Sequence, residues 1–309
     1  MSLDAPCWHF VLQPPYHPMK ASPDTSPKNQ IPSSMKFALL SVIIICSSLF
    51  SFAQKPTSPV LEAKLIKEIA LLIDKKKTIP LTELNKQLKN ISGKKAKIPK
   101  VSPFVDDPKN LYELCKPSTL IVASLYKCGA CTNWHSGSAT GFPLTKDGIF
   151  ATNYHVMGQP NGETLAVMDT EGNIFPVTDV LAGDEKSDVI ILRAAGAKFR
   201  PLPLGDPAEI GSSVHVISHP DGTFYYYSKG MVSLYDEIEA SNVPLTEWMV
   251  ISADYARGSS GAAVLNDFGE VVGMVASTVT IHYEKQKMTN PQMVLRLCAP
   301  INAILKLIE

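Results

Sequence analysis

The sequence has no excess of charge of either sign. It holds 29 Lys and Arg against 29 Asp and Glu, so its formal net charge at pH 7 is zero. Proteins that bind nucleic acid concentrate basic charge on one face, and a solvating tail needs an acidic surplus. We therefore expect no nucleic acid partner. Hydrophobic residues make up 45% of the chain, which excludes global disorder and allows a large buried core.

Long hydrophobic runs are also scarce. The longest, at residues 37–52, is too short and too close to the start for a convincing membrane span. Met35 and Lys36 precede it and small residues follow, which is typical of a secretory signal peptide at 35–53. We interpret the proline-rich residues 1–34 as a mis-assigned upstream extension, with a cytoplasmic leader as the alternative. The product would be periplasmic or secreted, with no stable membrane span after signal removal.

Cysteine is sparse, with six in the chain and four of them beyond residue 53. An exported protein meets an oxidising compartment, in which disulfides form. Four cysteines allow three pairings, and the spacing does not choose among them. We favour the pairs Cys128–Cys131 and Cys115–Cys298.

Neither metal nor redox chemistry is indicated by these cysteines. His215, His219 and His282 lack metal-ligand spacing to Cys128 or Cys131. The two cysteines match a redox motif in spacing only, because a strand-like stretch follows them rather than the start of a helix. We expect no metal and no cofactor.

A lysine-rich segment precedes the main domain. Residues 55–100 hold twelve lysines, no arginine and four acids. Apolar residues recur there at spacings of three and four, which predicts helices at 61–74 and 81–91. We assign residues 54–110 to a helical extension or propeptide, with an ordinary solvated extension as the alternative, and residues 111–309 to the main domain.

From about residue 119 the pattern changes to short β-branched and apolar runs separated by turn signals. Many short strands at this spacing predict a β barrel or sandwich. A C-terminal helix is predicted over 301–309. The predicted strands lie at 119–125, 148–153, 164–168, 188–192, 213–218, 249–252, 271–280 and 294–297.

Three residues in chain order could carry out acyl transfer through a serine. This chemistry needs a nucleophile, a base, an acid that orients the base, and backbone donors for the oxyanion. Ser260 lies in a glycine-flanked turn in which the amides of Gly258 and Ser260 could supply those donors. His155 follows an apolar strand. Asp188 begins a buried strand, where an unpaired carboxylate would be costly, whereas its competitor Asp184 lies in a polar turn.

Taken together, these motifs resemble the trypsin-like serine peptidases, most closely the protease domain of the bacterial HtrA (Deg) type. The resemblance runs from about residue 120 to the end of the chain. It implies an all-β fold of two six-stranded antiparallel Greek-key barrels, with the triad His155, Asp188 and Ser260 at their junction. To these barrels we add the N-terminal helical extension and the C-terminal helix. Further matching motifs lie at 136–142, 203–217 and 269–274.

Two departures from the family pattern concern the nucleophile and the end of the chain. Ser259 stands where the family usually has aspartate or asparagine, which puts the fine geometry of the oxyanion hole in question. The chain ends at Glu309, so we do not carry over PDZ-dependent assembly or regulation.

The same resemblance implies residues that contact the substrate. The strand after the nucleophile would pair with the substrate backbone. Asp254 stands six residues before Ser260, where a carboxylate would favour Arg or Lys substrates by charge pairing. In the HtrA-type pattern, however, an aspartate near this place does not set basic specificity, so both readings stay open. The implied substrate-binding residues are Asp254, Tyr255, Ala276, Ser277 and Thr278.

The predicted function is that of an exported serine endopeptidase that hydrolyses polypeptides through an acyl-enzyme. One alternative is a catalytically silent binding protein on the same fold. The other is a latent protease whose N-terminal extension blocks the cleft.

Overall fold

The computed structural model describes residues 56–104, 110–158, 161–238 and 245–309. Residues 56–309 form one compact unit, built around two closed antiparallel barrels of six strands each. The predicted signal peptide at 35–53 and the segment 1–34 lie outside the described residues. Within the described ranges, no helix is long and apolar enough to cross a membrane.

The first barrel has the spatial strand order β1-β2-β3-β6-β5-β4, so the chain crosses over between its third and fourth strands. Its interior is filled by aliphatic residues from alternating positions and by Phe150. The strands are β1 (Leu120–Tyr126), β2 (His135–Pro143), β3 (Ile149–Thr152), β4 (Gly162–Met168), β5 (Ile174–Asp184) and β6 (Val189–Ala194).

The second barrel has the same pattern, with the order β10-β11-β12-β9-β8-β7. Its last two long strands, β11 and β12, continue beyond the barrel as a hairpin whose outer part exposes most of its residues. The strands are β7 (Ser213–Ser218), β8 (Tyr226–Glu237), β9 (Glu247–Ile251), β10 (Ala263–Leu265), β11 (Val271–Glu284) and β12 (Thr289–Pro300).

In the described ranges, four α-helices accompany the barrels. The two in the lysine-rich segment are amphipathic, as the spacing of their apolar residues predicts. The C-terminal helix ends at Leu305, earlier than predicted, because the last residues instead run beside residue 96: the Ala96 amide donates to the Leu307 carbonyl (2.8 Å) and the Glu309 amide to the Ala96 carbonyl (2.9 Å). The helices are α1 (Ser58–Asp74), α2 (Leu81–Leu88), α3 (Leu111–Cys115) and α4 (Ile301–Leu305).

The lysine-rich extension packs against the first barrel. Leu65 and Ile69 of α1 are fully buried against β1 and β4, and Leu84 of α2 is fully buried in the barrel's main cluster. Burying a leucine or isoleucine side chain contributes about 1.5–3 kcal/mol. The extension is therefore structurally continuous with the barrels, while the lysines in its described part face solvent.

The four cysteines in the described residues are free thiols, so neither of the predicted disulfides is present. Cys115 and Cys298 are both buried, but they belong to different hydrophobic clusters: Cys115 lies near Gly269, and Cys298 contacts the Tyr255 hydroxyl. Burial raises the pKa of each thiol to about 12, which makes both unreactive. The sulfurs of Cys128 and Cys131 lie 3.5 Å apart, well beyond the length of an S–S bond.

His219 is a fully buried histidine between the barrels. The Tyr225 amide donates to its Nδ1 (3.1 Å), so Nε2 carries the proton and donates to the Leu120 carbonyl of β1 (3.2 Å). Burial lowers the pKa of this imidazole from 6.5 to about 3. The ring is therefore neutral in the folded protein at physiological pH, and it links the two barrels.

We expect His219 to make the protein sensitive to acid. Between pH 6.5 and 3 the unfolded chain binds a proton at this position that the folded chain excludes, so stability falls as the pH drops below about 6.5, by up to about 1.4 kcal/mol per pH unit. His219→Gln should be less stable at pH 7 but should lose less stability between about pH 6.5 and 5. Urea unfolding at several pH values measures this, and an unchanged slope in the variant would contradict it.

Candidate active site

The three residues predicted to act together line one cleft of about 810 Å³. His155 lies in a short 3-10 helix, Tyr154–Gly158, directly after β3, and Asp188 directly precedes β6. Ser260 lies in the loop before β10 of the second barrel. Because β3 pairs with β6, the histidine and the aspartate come from adjacent strands of the first barrel, whereas the serine comes from the second barrel.

His155 and Asp188 are joined by two hydrogen bonds. The ring Nδ1–H of His155 donates to one carboxylate oxygen (2.8 Å), and its backbone amide donates to the other (3.0 Å). The bond at Nδ1 fixes the tautomer and leaves Nε2 of the neutral ring free to accept a proton. The carboxylate is largely buried, with 11% of the side chain exposed, whereas half of the imidazole is open to the cleft.

Asp188 holds its position with a strained backbone. Its φ of +55° lies in the left-handed region, which a non-glycine residue adopts at a cost of about 1–3 kcal/mol. Its carbonyl accepts hydrogen bonds from the Asn153 side chain (2.8 Å) and the Tyr154 amide (3.2 Å). The segment that carries His155 therefore also secures the acid that orients it.

The loop that carries Ser260 is shaped by two glycines with positive φ. Gly258 has φ +95° and Gly261 has φ +87°, and a Cβ atom at either position would lie within 2.4 Å of a backbone carbonyl oxygen. The Asp221 amide donates to the Arg257 carbonyl (2.6 Å). Since the C=O and N–H of a trans peptide point in opposite directions, this bond turns the Gly258 N–H away from Asp221.

The amides of Gly258 and Ser260 are available to a ligand. In the described parts of the chain, neither has a hydrogen-bond acceptor, while the Ser259 amide between them donates to the Ala256 carbonyl (3.0 Å). Two unpaired N–H groups beside a serine hydroxyl form an arrangement that can stabilise an oxyanion. The presence of Ser259 in place of an acidic or amide residue is thus compatible with this loop geometry.

Thr140 of β2, which sequence reasoning did not single out, fastens the loop to the first barrel. Its amide donates to the Ser260 carbonyl (2.8 Å), and its hydroxyl donates to the Gly258 carbonyl (2.9 Å). Its own carbonyl accepts the Thr152 hydroxyl (2.7 Å). A small polar residue within a buried strand segment was the only signal of this role in the sequence.

We expect Thr140→Val to reduce turnover without weakening substrate binding. The substitution removes the hydroxyl bond to Gly258 but keeps the shape of the side chain, so kcat should fall about tenfold, the equivalent of about 1.4 kcal/mol, at nearly constant KM. Thr140→Ser keeps the hydroxyl and should restore turnover. Steady-state kinetics of both variants tests this; equal kcat values for Val and Ser would refute the positioning role.

One edge of β11 is open to the cleft. β10 pairs with β11 only as far as Met274, and Val275 exchanges its backbone bonds with residues 261 and 262. Ser277 and Thr278 then pair, among the described residues, only with β12, Ala276 lies at a register shift just before them, and all three residues line the cleft. An unpaired strand edge in this position can accept an extended peptide as an additional strand.

The other two predicted substrate-binding residues occupy different environments. Tyr255 lines the cleft but is buried, and its single hydroxyl proton is shared between the carbonyls of Ser277 (2.9 Å) and Leu297 (2.8 Å). Asp254 is not among the described residues that line the cleft. Its carboxylate is paired with the guanidinium of Arg296 on β12.

The N-terminal extension contributes to the rim of the cleft. Asn85 and Leu88 of α2 line it next to Met157, whose carbonyl accepts a long hydrogen bond from the Asn85 side chain (3.4 Å). Val275 and Ala276 of β11 also line the cleft.

The molecule has two six-stranded barrels, with a His–Asp pair on the first and a serine between two glycines on the second. This combination defines the class of trypsin-fold proteins. Residues 139–274 match the family model described as a trypsin-like peptidase domain. This segment, which contains His155, Asp188 and Ser260, is therefore similar to a trypsin-like peptidase domain, in agreement with the resemblance that the sequence motifs carry.

Curated relatives agree with this assignment. Protease Do-like 1 from the chloroplast of Arabidopsis thaliana is 32% identical over 145 residues, 45% of this chain and 32% of the relative. Serine endoprotease DegS of Haemophilus influenzae is 28% identical over 145 residues, 46% of this chain and 41% of the relative. A probable periplasmic DegP-like endoprotease of Hahella chejuensis is 32% identical over 149 residues, 46% of this chain and 30% of the relative. The chain thus spans less than half the length of these relatives.

Solved structures share the fold. The active form of the Rv3671c protease of M. tuberculosis aligns with a TM-score of 0.52 and 21% identity, over 69% of this chain and 88% of that one. The HtrA-type protease AlgW with a tripeptide aligns with the same TM-score and 15% identity, over 63% of this chain and 60% of that one.

Proposed function

We propose that this protein is a serine endopeptidase with His155, Asp188 and Ser260 as its catalytic triad. The observation that carries the proposal is the doubly hydrogen-bonded His155–Asp188 pair in the same cleft as Ser260. A histidine fixed in this tautomer is the base that a serine hydroxyl needs in order to become nucleophilic.

In the proposed reaction, the Ser260 hydroxyl attacks the peptide carbonyl as His155 Nε2 takes its proton. The amides of Gly258 and Ser260 stabilise the resulting oxyanion. The imidazolium, stabilised by the Asp188 carboxylate, then gives the proton to the leaving amine. Water attacks the acyl-enzyme through the same base and regenerates the serine. The reaction needs no cofactor.

The proposed substrate is a polypeptide bound as an extended strand against residues 276–278. The open edge of β11 supplies backbone hydrogen bonds, and the cleft receives the side chain before the scissile bond. The buried Tyr255 closes this pocket with an aromatic ring. Because the Asp254 carboxylate is already paired with Arg296, we propose an uncharged rather than a basic side chain at this position.

Replacing Asp254 tests this specificity. We expect Asp254→Ala to leave the ranking of substrates unchanged, since the carboxylate is engaged outside the cleft. The kcat/KM values for matched peptides that differ only in leucine, arginine or lysine before the cleavage site provide the measurement. A selective loss of activity on the basic peptides would instead assign Asp254 to substrate recognition.

We also propose that the protein is exported through the signal peptide predicted at 35–53 and acts in the periplasm or outside the cell. The DegP-like relative of Hahella chejuensis is named as periplasmic, which supports this location. Residues 54–110 then remain with the mature protein, since their apolar face is part of the core of the first barrel.

A fluorophosphonate probe tests the proposed function directly, because it reacts with a serine only when a base activates the hydroxyl. We expect the full chain to be labelled, and peptide mapping to locate the label on Ser260. Labelling should be lost in His155→Ala. His282 is a histidine on the outer part of the β11–β12 hairpin. His282→Ala is therefore the matched control and should be labelled like the wild type.

Absence of label from a folded wild-type chain would favour the binding-protein alternative. The double variant Asn85→Ala, Leu88→Ala removes the two side chains of α2 that line the rim of the cleft. Label that appears only in this variant would favour the latent protease. Removing the whole extension is a poorer test, because it would also expose the apolar surface covered by Leu65 and Ile69.

A further inference from the structure

Two cysteines and a histidine converge in the loop that connects β1 with β2. Cys128 and Cys131 lie in the loop, and His135 is the first residue of β2. The two sulfurs are 3.5 Å apart, and the sulfur of Cys131 is 3.1 Å from Nε2 of His135. All three potential ligand atoms lie within 4.8 Å of one another.

The spacing of these atoms fits a tetrahedral metal ion. Zinc binds thiolates at about 2.3 Å and imidazole at about 2.0–2.1 Å, which places two sulfurs about 3.8 Å apart and a sulfur and a nitrogen about 3.6 Å apart. The observed distances of 3.5 Å and 3.1 Å need to open by only a few tenths of an ångström. A disulfide would require the sulfurs to close to about 2.0 Å and would leave the histidine without a role.

The surrounding backbone supports this arrangement. Gly129, with φ +77° and open space around it, makes the turn that brings Cys131 back toward Cys128.

The rest of the loop is anchored to the hairpin. His135 pairs with Tyr126 across the strands, and their rings stack with centroids 5.5 Å apart. The Lys127 ammonium donates to the Thr132 carbonyl (2.7 Å) and lies 3.9 Å from the centre of the Trp134 ring. These contacts hold the histidine and both cysteines at the same end of the hairpin.

We propose that Cys128, Cys131 and His135 form a zinc site that closes the β1–β2 loop. Two thiolates neutralise the charge of the ion, and the soft sulfur ligands with one imidazole favour zinc over magnesium or calcium. The fourth position is left to water or to a ligand from another molecule. Both cysteines are exposed, so the ion can enter from solvent. His135, four residues after Cys131, was not among the histidines whose spacing argued against a metal.

Zinc titration of the full chain tests the site. The protein is reduced, equilibrated with zinc, separated from free metal by gel filtration and analysed for zinc per chain. We expect one zinc per wild-type chain, and an increase in Tm with added zinc. Cobalt in place of zinc should give the charge-transfer absorption of a cobalt–thiolate bond.

Cys131→Ser and His135→Gln should each lower zinc affinity by at least about 100-fold and lose the zinc-dependent rise in Tm. His282→Gln is the matched control and should behave like the wild type; Cys115 and Cys298 remain in all variants. Fluorophosphonate labelling of Ser260 shows that each variant is folded, and it does not depend on the zinc site. Wild type that retains no more zinc than Cys131→Ser, or that holds a Cys128–Cys131 disulfide and takes up no zinc after reduction, would overturn the proposal.

Discussion

Ser260→Ala is expected to reduce peptide hydrolysis by at least about 10⁴-fold, because removing the nucleophile of a serine peptidase leaves only binding and the oxyanion hole. In this variant His155 and Asp188 remain hydrogen-bonded to each other, but no hydroxyl is left to form the acyl-enzyme. Hydrolysis of an unstructured protein such as casein, measured with the purified full chain, checks the result.

Ser259→Ala is the matched control for this prediction. It is the neighbouring serine in the same loop and is buried, but its hydroxyl makes only a long contact with the Ala256 amide, at 3.5 Å. We expect this variant to keep most of its activity. If Ser260→Ala kept comparable activity, another nucleophile would have to carry the reaction, and the proposed triad would be wrong.

Gly258→Ala is expected to lower kcat by about 10²- to 10³-fold, the effect of losing one oxyanion donor. The residue has φ +95°, and a Cβ atom would lie 2.4 Å from the His219 carbonyl oxygen. The loop would have to move to relieve this clash, and the peptide that carries the Gly258 amide would lose its orientation. Since the proposed binding of the peptide along β11 does not involve Gly258, KM should change much less than kcat.

Gly196→Ala separates this effect from the general cost of a side chain at positive φ. Gly196 has φ +73°, but a Cβ atom there would meet no described heavy atom within 4 Å, and the residue is far along the chain from the loop that carries Ser260. Both substitutions carry a conformational cost of about 1–2 kcal/mol. Only Gly258→Ala should lose turnover. Equal kcat values for the two variants, measured below their Tm, would remove Gly258 from the proposed oxyanion hole.

The lysine-rich segment illustrates where sequence patterns carry structural information and where they stop. Apolar residues at helical spacing predicted both of its helices, because that periodicity is a local property of the chain. Whether the helices form a separate propeptide or pack on the barrels depends on the surface they meet. Leu65 and Leu84 are fully buried against the first barrel, a contact between residues far apart in the sequence.

Strands with strong apolar runs were predicted, whereas β5, β8 and β10 were not. β8 buries only two of its twelve residues, Ser228 and Val232, and β10 has three residues, so neither has the length of alternating apolar positions that predicts a strand. β5 contains Pro176, which argues against a strand in sequence reasoning. Hydrogen bonding to neighbouring strands stabilises these segments, and such pairing is not encoded locally.

The sequence by itself determined the elements whose cause is local: two amphipathic helices, a series of short strands, a turn bounded by Gly258 and Gly261, and a histidine, an aspartate and a serine in the order of a trypsin-like peptidase. Only the tertiary structure decided which polar groups meet. It paired Asp254 with Arg296, hydrogen-bonded Thr140 to the loop that carries Ser260, and kept Cys115 apart from Cys298. These contacts depend on the closure of two barrels, which brings together side chains from distant strands, and no periodicity within one segment records that closure.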